Sequence, residues 1–277
     1  MNGWIVAIVL CAALMHAGWN ALVKAGSDKF LTTMLVACGA ALIALPFLPF
    51  LDVPLRASWP WLIASACCQV IYYTLLAAAY RHGDMSQAYP LMRGVAPLIV
   101  AVASVPLLHE HLNGMQMLAV ALICGGVLVM RLGAVLGGAG KATRYALLNA
   151  AVIASYTMLD GVGVRRSGAP IAYTLWLFVI TAIGLLACCS PRWKELPPYA
   201  RAHSRVIWLG GFGTLASYGL ALWAMTQAPV ATVAALRETS ICFAALIAVV
   251  FLREKLSPAR LAAMLFIAAG AAAMRLS

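Results

Sequence analysis

Apolar runs of about twenty residues, separated by short polar breaks, fill this chain from end to end. Ten stand out, near 4–24, 30–51, 59–81, 85–107, 113–132, 142–165, 169–189, 205–227, 229–252 and 257–276. A helix needs roughly 20 such residues to cross a bilayer. Barrel strands would alternate apolar and polar positions, and these runs do not. The pattern predicts an all-α integral membrane protein with ten transmembrane helices. Gly26-Ser27-Asp28-Lys29 breaks the first two runs, and the stretch 52–56 with Pro54 ends the second. The longest polar connection is 191–205, so no separate soluble domain fits between the runs. Only Gln227-Ala228-Pro229 parts the eighth and ninth, and proline suits the first turn of a restarting helix. Met1-Asn2-Gly3-Trp4 lacks a basic leader region, so the first run is expected to stay as a helix rather than be cleaved as a signal peptide.

The chain has 277 residues, 64% hydrophobic and 10% charged. Soluble domains carry about 25% charged residues, so a soluble globule or a disordered chain is excluded. Cys11, Cys38, Cys67, Cys68, Cys124, Cys188, Cys189 and Cys242 lie inside apolar runs without CxxC spacing. They are expected to be small buried hydrophobes rather than disulfides or metal ligands. The net charge of +11 does not point to nucleic acid, because the cations sit singly or in small groups between the runs. Membrane proteins mark their helix ends and orientation in this way.

A shift of 144 residues aligns 77–132 with 221–276 without a gap. Arg93 then matches Arg237, Glu110 matches Glu254, and Gly126-x-x-x-Met130-Arg131-Leu132 matches Gly270-x-x-x-Met274-Arg275-Leu276. The expected organisation is a five-helix repeat over 1–132, a connection at 133–141 and a second five-helix repeat over 142–277. Five is odd, so the second repeat must run inverted, a common plan for secondary transporters. The cations follow the inversion. Lys24, Lys29 and Arg81 face Arg56 in the first half; Arg192, Lys194, Arg201, Arg205, Arg253 and Lys255 face Arg165 and Arg166 in the second. Arg131, Lys141 and Arg144 join the halves. By the positive-inside rule the central connection is cytoplasmic and both termini lie outside.

The repeat, the ten runs and the segments Leu107-Leu108-His109-Glu110-His111-Leu112 and Phe251-Leu252-Arg253-Glu254-Lys255-Leu256 resemble the drug/metabolite transporter superfamily, in particular its EamA-type branch. Met15-His16-Ala17-Gly18-Trp19-Asn20-Ala21-Leu22-Val23-Lys24 also resembles a subgroup linked with phosphonate utilisation. The resemblance implies a multi-pass transporter of small metabolites in a bacterial inner membrane, often an exporter. It also implies cytoplasmic termini, contrary to the charge count.

Charges inside the runs carry the chemistry, since each costs about 2.5–3.5 kcal/mol at the bilayer centre on insertion scales. Arg93, Arg237 and Glu238 lie well inside, and Asp160 lies nearer a span end. Ser86, Tyr89, Pro90, Arg93 and Pro97 share one helical side, where the prolines predict kinks and freed carbonyls. Two guanidinium groups brought together by the repeat suit a carboxylate or phosphonate substrate, bound by paired hydrogen bonds. The competing reading is that Arg93 pairs with Glu238 and locks the halves. Glu238 is also placed to carry a proton in a coupled cycle. Further stripes join His16 to Asn20, Gln69 to Tyr72, Tyr156 to Asp160, and Thr214 to Tyr218. Each suits a cavity wall or an interhelical hydrogen bond. Trp19 and Trp223 lie deep enough to stack on a substrate, whereas Trp4, Trp59, Trp61, Trp193 and Trp208 suit an interfacial belt. His109-Glu110-His111 lacks HExxH spacing and recurs as Arg253-Glu254-Lys255, which argues against metal. Asn113 and Ser257 resemble caps of the helices that follow.

These residues predict a secondary transporter for a small anion or zwitterion, such as an amino acid or a phosphonate-type metabolite. Its partners would be that substrate, the bilayer and protons, with no cofactor. The alternatives are an intramembrane enzyme, for which no nucleophile–base motif is evident, and a passive channel or scaffold. No Walker-type loop supports an ATP-driven pump.

Overall fold

The computed structural model describes residues 1–82, 85–132, 140–188, 192–252 and 257–277. Side chains at 24–25, 77, 80–81, 85–90, 130–132, 248 and 251–252 are outside that description. All regular structure among the described residues is helical. In chain order the helices are α1 (Gly3–Ala25), α2 (Lys29–Ala44), α3 (Trp59–His82), α4 (Met85–Leu108), α5 (Gly114–Leu132), α6 (Lys141–Arg166), α7 (Pro170–Cys188), α8 (Leu196–Ala202), α9 (Gly211–Met225), α10 (Val230–Arg237), α11 (Ser240–Leu252) and α12 (Pro258–Leu276). A 3₁₀ segment with Pro46 and Pro49 extends α2 over Leu45–Phe50, and a π turn at Val206–Gly210 leads into α9. Nine helical segments among the described residues are long and apolar enough to span a membrane, and Gly114–Val129 within α5 is a shorter apolar helix.

Local chemistry sets the ends. Asp28 caps α2 by accepting from the Leu31 amide at 3.0 Å. Asn113 and Gln116 cap α5 reciprocally, at 2.8 and 3.1 Å, and Ser257 caps α12 through the Arg260 amide. Asn113 and Ser257 are the two caps expected from sequence.

The prolines act differently from expectation. The segment containing Pro90 and Pro97 stays one continuous helix, α4. The break falls instead in the ninth run, which contains no proline after its first turn. There α10 ends at Arg237, and the Glu238 and Thr239 amides close short turns onto Ala235 and Leu236. Thr239 Oγ1 adds a bond to the Leu236 carbonyl at 2.7 Å, so the hydroxyl competes with the helix for its own acceptors.

Packing is related by exchange of the two halves. α3 packs on α6 as α1 packs on α9, and α2 meets α7. α5 crosses α12 at the repeated glycines. A Cβ on Gly126 would meet Ala263 O and Ile267, and one on Gly270 would meet Ala119 O and Ile123. Contact numbers rise along one helix as they fall along the other, so α5 and α12 run antiparallel. These contacts join the sequence-equivalent positions reciprocally, since Ala119, Ile123 and Gly126 match Ala263, Ile267 and Gly270.

The outer surface is apolar, with Val102 76% and Leu265 65% exposed, while many polar side chains lie within. This is the arrangement of a chain solvated by lipid. It corrects the expectation for the cysteines. Cys124 is buried, but Cys11, Cys67 and Cys188 face outward, where lipid solvates a thiol as an interior does. None of the seven described cysteines forms a disulfide, and Cys189 lies outside the described residues.

Contacts between connections sort them into two faces. On one face Arg192 Nη2 bonds Asp28 at 2.7 Å, and Tyr199 of α8 packs its hydroxyl against Thr32 Oγ1 at 2.8 Å. On the other, the Leu55 amide donates to Ser167 O at 2.9 Å, and Arg165 reaches Glu110.

Candidate functional site: a buried charge cluster between the halves

The cluster forms where α4, α6, α9 and α10 meet beneath α1. Arg93 Nε donates to Glu238 Oε2 at 2.9 Å, with both side chains almost wholly enclosed. This joins the first half to the second at the break between α10 and α11. The pairing considered from sequence is therefore formed. Arg93 is engaged with Glu238 through its Nε.

Arg237 is adjacent in sequence to Glu238 but differently placed. Its guanidinium lies 4.9 Å from the centroid of the Tyr218 ring, and only 8% of the residue is exposed. It makes no hydrogen bond and no ion pair among the described residues. The ring face offers cation–π attraction, and the last turn of α10 supplies the negative end of a helix dipole. Neither supplies an acceptor for the five N–H donors of a guanidinium.

Asp160, near a span end in sequence, is wholly buried. Tyr218 Oη donates to its Oδ2 at 2.5 Å and Tyr173 Oη to its Oδ1 at 3.0 Å. Gln69 Nε2 approaches Oδ2 at 3.5 Å. Asp160 thus belongs to the cluster through Tyr218, whose ring supports Arg237. Tyr173 was absent from the sequence expectation. Its signal was a phenol in the apolar run Pro170–Cys188, since a buried Tyr hydroxyl needs a partner.

Aromatic rings extend from this point. Tyr72 lies 6.0 Å from Tyr156, Tyr156 lies 6.4 Å from Tyr218, and Tyr218 lies 6.2 Å from Phe178. His16 and Trp19 stack edge to face at 5.1 Å on α1, with His16 within electrostatic reach of both arginines. Trp19 Nε1 is buried without an acceptor among the described residues. Asn20, one turn further along α1, donates its amide back to the His16 carbonyl at 2.8 Å. Tyr89 sits in the first turns of α4, and its side chain is outside the described set. Trp223 lies away from the charges, on an apolar groove of about 620 Å³ between α1, α7 and α9.

Glu110 is more than a residue before a helix cap. His109 takes φ 53°, the left-handed conformation that ends helices, and turns the chain so that Glu110 points inward. Glu110 Oε1 accepts from Arg165 Nη2 and from the Val230 amide that opens α10, both at 2.8 Å. Arg165 also donates to Met225 O and Ala228 O at the end of α9. One carboxylate thus clasps α6 and the α9–α10 turn across the halves. Its repeat partner Glu254 lies outside the described residues. Among the described residues no group of three or more His, Cys, Asp or Glu side chains could hold a metal.

Helices long enough to span a bilayer, an apolar exterior and charges gathered between two related halves define a multi-pass membrane protein of transporter type. The model of the EamA-like transporter family matches residues 3–132 and again 141–276. The chain belongs to that family, whose members move small molecules across membranes. No curated protein matches it. A solved structure described only as "Crystal structure of protein" superposes with a TM-score of 0.79 at 21% identity, covering 100% of this chain and 98% of the other. That likeness shows a shared fold.

Proposed function

We propose that this chain is a ten-span secondary transporter of two inverted halves, 1–132 and 142–277. It carries a small anionic or zwitterionic metabolite by alternating access. The observation that carries the reading is Arg237, an enclosed guanidinium held on Tyr218 with no acceptor among the described residues. A substrate carboxylate or phosphonate would supply this guanidinium with charge-assisted hydrogen bonds. Arg237 supplies the anion contact. Tyr218, Tyr156 and Tyr72 form an aromatic wall, and Trp19 and His16 close the side from α1. Arg93 and Glu238 hold the broken helix in register beside the substrate. Rocking of the halves about the α5–α12 crossing exposes the site alternately.

Labelled amino acids, carboxylates and phosphonates screened for saturable counterflow in proteoliposomes test this. Arg237→Lys, which keeps the charge but loses the planar fork, is expected to cut flux at least about tenfold while the protein still folds. Undiminished flux with Arg237→Lys removes the anion-anchor reading, and non-saturable flux indicates a channel.

The membrane is proposed to be a bacterial inner membrane. The face that carries Lys29, Lys141, Arg144, Arg192, Lys194, Arg201 and Arg205 would be cytoplasmic. A reporter fused to the C-terminus would then be active only outside the cytoplasm. A cytoplasmic reporter would support the orientation implied by the family resemblance instead.

A further inference from the structure

Among the buried carboxylates, Glu238 and Asp160 are held in opposite ways. Glu238 takes a charged hydrogen bond from Arg93 at 2.9 Å. Asp160, 0% exposed, accepts from Tyr218, Tyr173 and Gln69, all neutral donors. No Lys, Arg or His among the described residues lies within ion-pair distance of it. The groups around it come from every side. Ser65, Cys68 and Gln69 approach from α3, Tyr173 from α7 and Tyr218 from α9, with Tyr156 on its own helix. On α10, Arg237 lies beyond the Tyr218 ring, and Arg93 of α4 is engaged by Glu238.

From this contrast we infer that Asp160, rather than Glu238, is the exchangeable proton site of the transporter, with Tyr218 linking it to the anion at Arg237. The inference rests on the transport reading of Arg237. A carboxylate salt-bridged to a buried guanidinium cannot be neutralised without orphaning the cation. A carboxylate held by hydroxyls and an amide can be, because each neutral partner loses only one bond. Intramembrane carboxylates of this kind mark proton relays. A hydronium ion gives its proton to Asp160 Oδ2, forming one O–H bond, and leaves as water. The neutral acid then donates where it formerly accepted, so the Tyr218 hydroxyl turns round. The negative charge behind the Tyr218 ring disappears, and Arg237 is left to an incoming anion. Proton and anion therefore load together.

The test is an infrared pH titration of the full chain in lipid, with no substrate present. Acidification is expected to produce a protonated-carboxyl band that persists in Glu238→Gln and is missing in Asp160→Asn. Tyr218→Phe and Tyr173→Phe keep the carboxylate and are expected to shift the midpoint of the band, which keeps the test available if Asp160→Asn does not fold. A band unchanged in Asp160→Asn, or a midpoint unmoved in both tyrosine variants, overturns the proposal. So does a midpoint that follows sodium chloride but not choline chloride, which would make Asp160 a sodium ligand. Since the titration needs no transported molecule, its failure leaves the Arg237 flux assay unaffected, and loss of the flux result leaves the titration standing.

Discussion

Arg93 and Glu238, 145 residues apart in the chain, meet at 2.9 Å at the break between α10 and α11. Removing one partner strands the other charge away from water, which costs about 3–5 kcal/mol. Arg93→Met and Glu238→Leu are each expected to lower unfolding stability by that order, and the double variant to regain most of it. A double-mutant cycle in detergent checks this, and a coupling below about 0.5 kcal/mol would show that the pair does not hold the halves together.

The Glu110 clasp combines an ion pair with a helix cap. Glu110→Ala leaves the Val230 amide and the Arg165 fork without their shared acceptor, at a cost of about 1–3 kcal/mol. Glu110→Gln keeps an acceptor for the amide and is expected to lose less. Denaturant midpoints of the two variants compare these terms, and equal losses would assign the whole effect to charge.

At the α5–α12 crossing a Cβ on Gly126 would lie 2.8 Å from Phe266 Cβ, and one on Gly270 would lie 2.6 Å from Ile123 Cγ1. Both are too close. Gly126→Ala and Gly270→Ala are each expected to cost about 1–3 kcal/mol of overpacking, and by similar amounts. Thermal unfolding that finds only one of them harmful would show that the crossing is not equivalent in the two halves.

His109 occupies the left-handed region, which costs an L residue about 1–2 kcal/mol. His109→Gly is expected to be neutral or stabilising, and His109→Val destabilising, in the same unfolding measurements.

The face bearing Asp28, Arg192 and Glu195 is expected to respond to acid. Burial pushes Asp28 upward, but hydrogen bonds from Arg192 and the Leu31 amide outweigh it and hold the carboxyl below its ordinary value. Glu195 is also held low, by Arg192, and Arg192 is held high, by Glu195 and then Asp28. A carboxyl lowered by folding contributes stability above its unfolded value and loses it as pH falls through the folded one. The contacts among α2, α8 and the connection after α7 should therefore be intact at neutral pH and loosen below about pH 4. Hydrogen exchange at the start of α2 follows this, and the acid step should vanish in Arg192→Ala.

Much of the architecture was legible beforehand. The span positions follow from apolar runs of bilayer length, a local property. The repeat of Ala119, Ile123 and Gly126 144 residues later was visible, and the structure shows that the two copies pack on each other. The helix break was not. Proline is the only strong local breaker, and it pointed to α4, whereas the break follows Arg237, beside an ion pair from another helix.

The sequence by itself determined that this is a two-fold repeated membrane chain and which few charges lie inside it, since both are set by composition and period along one strand of text. Only the tertiary structure decided which charge meets which. Arg93 and Arg237 are one position of the repeat written twice, yet one is bound to Glu238 and the other rests on Tyr218. Asp160, near a span end in sequence, is buried where α7 and α9 each turn a tyrosine towards it. Partners of a buried charge depend on how helices cross, and no periodicity along a single helix encodes that crossing.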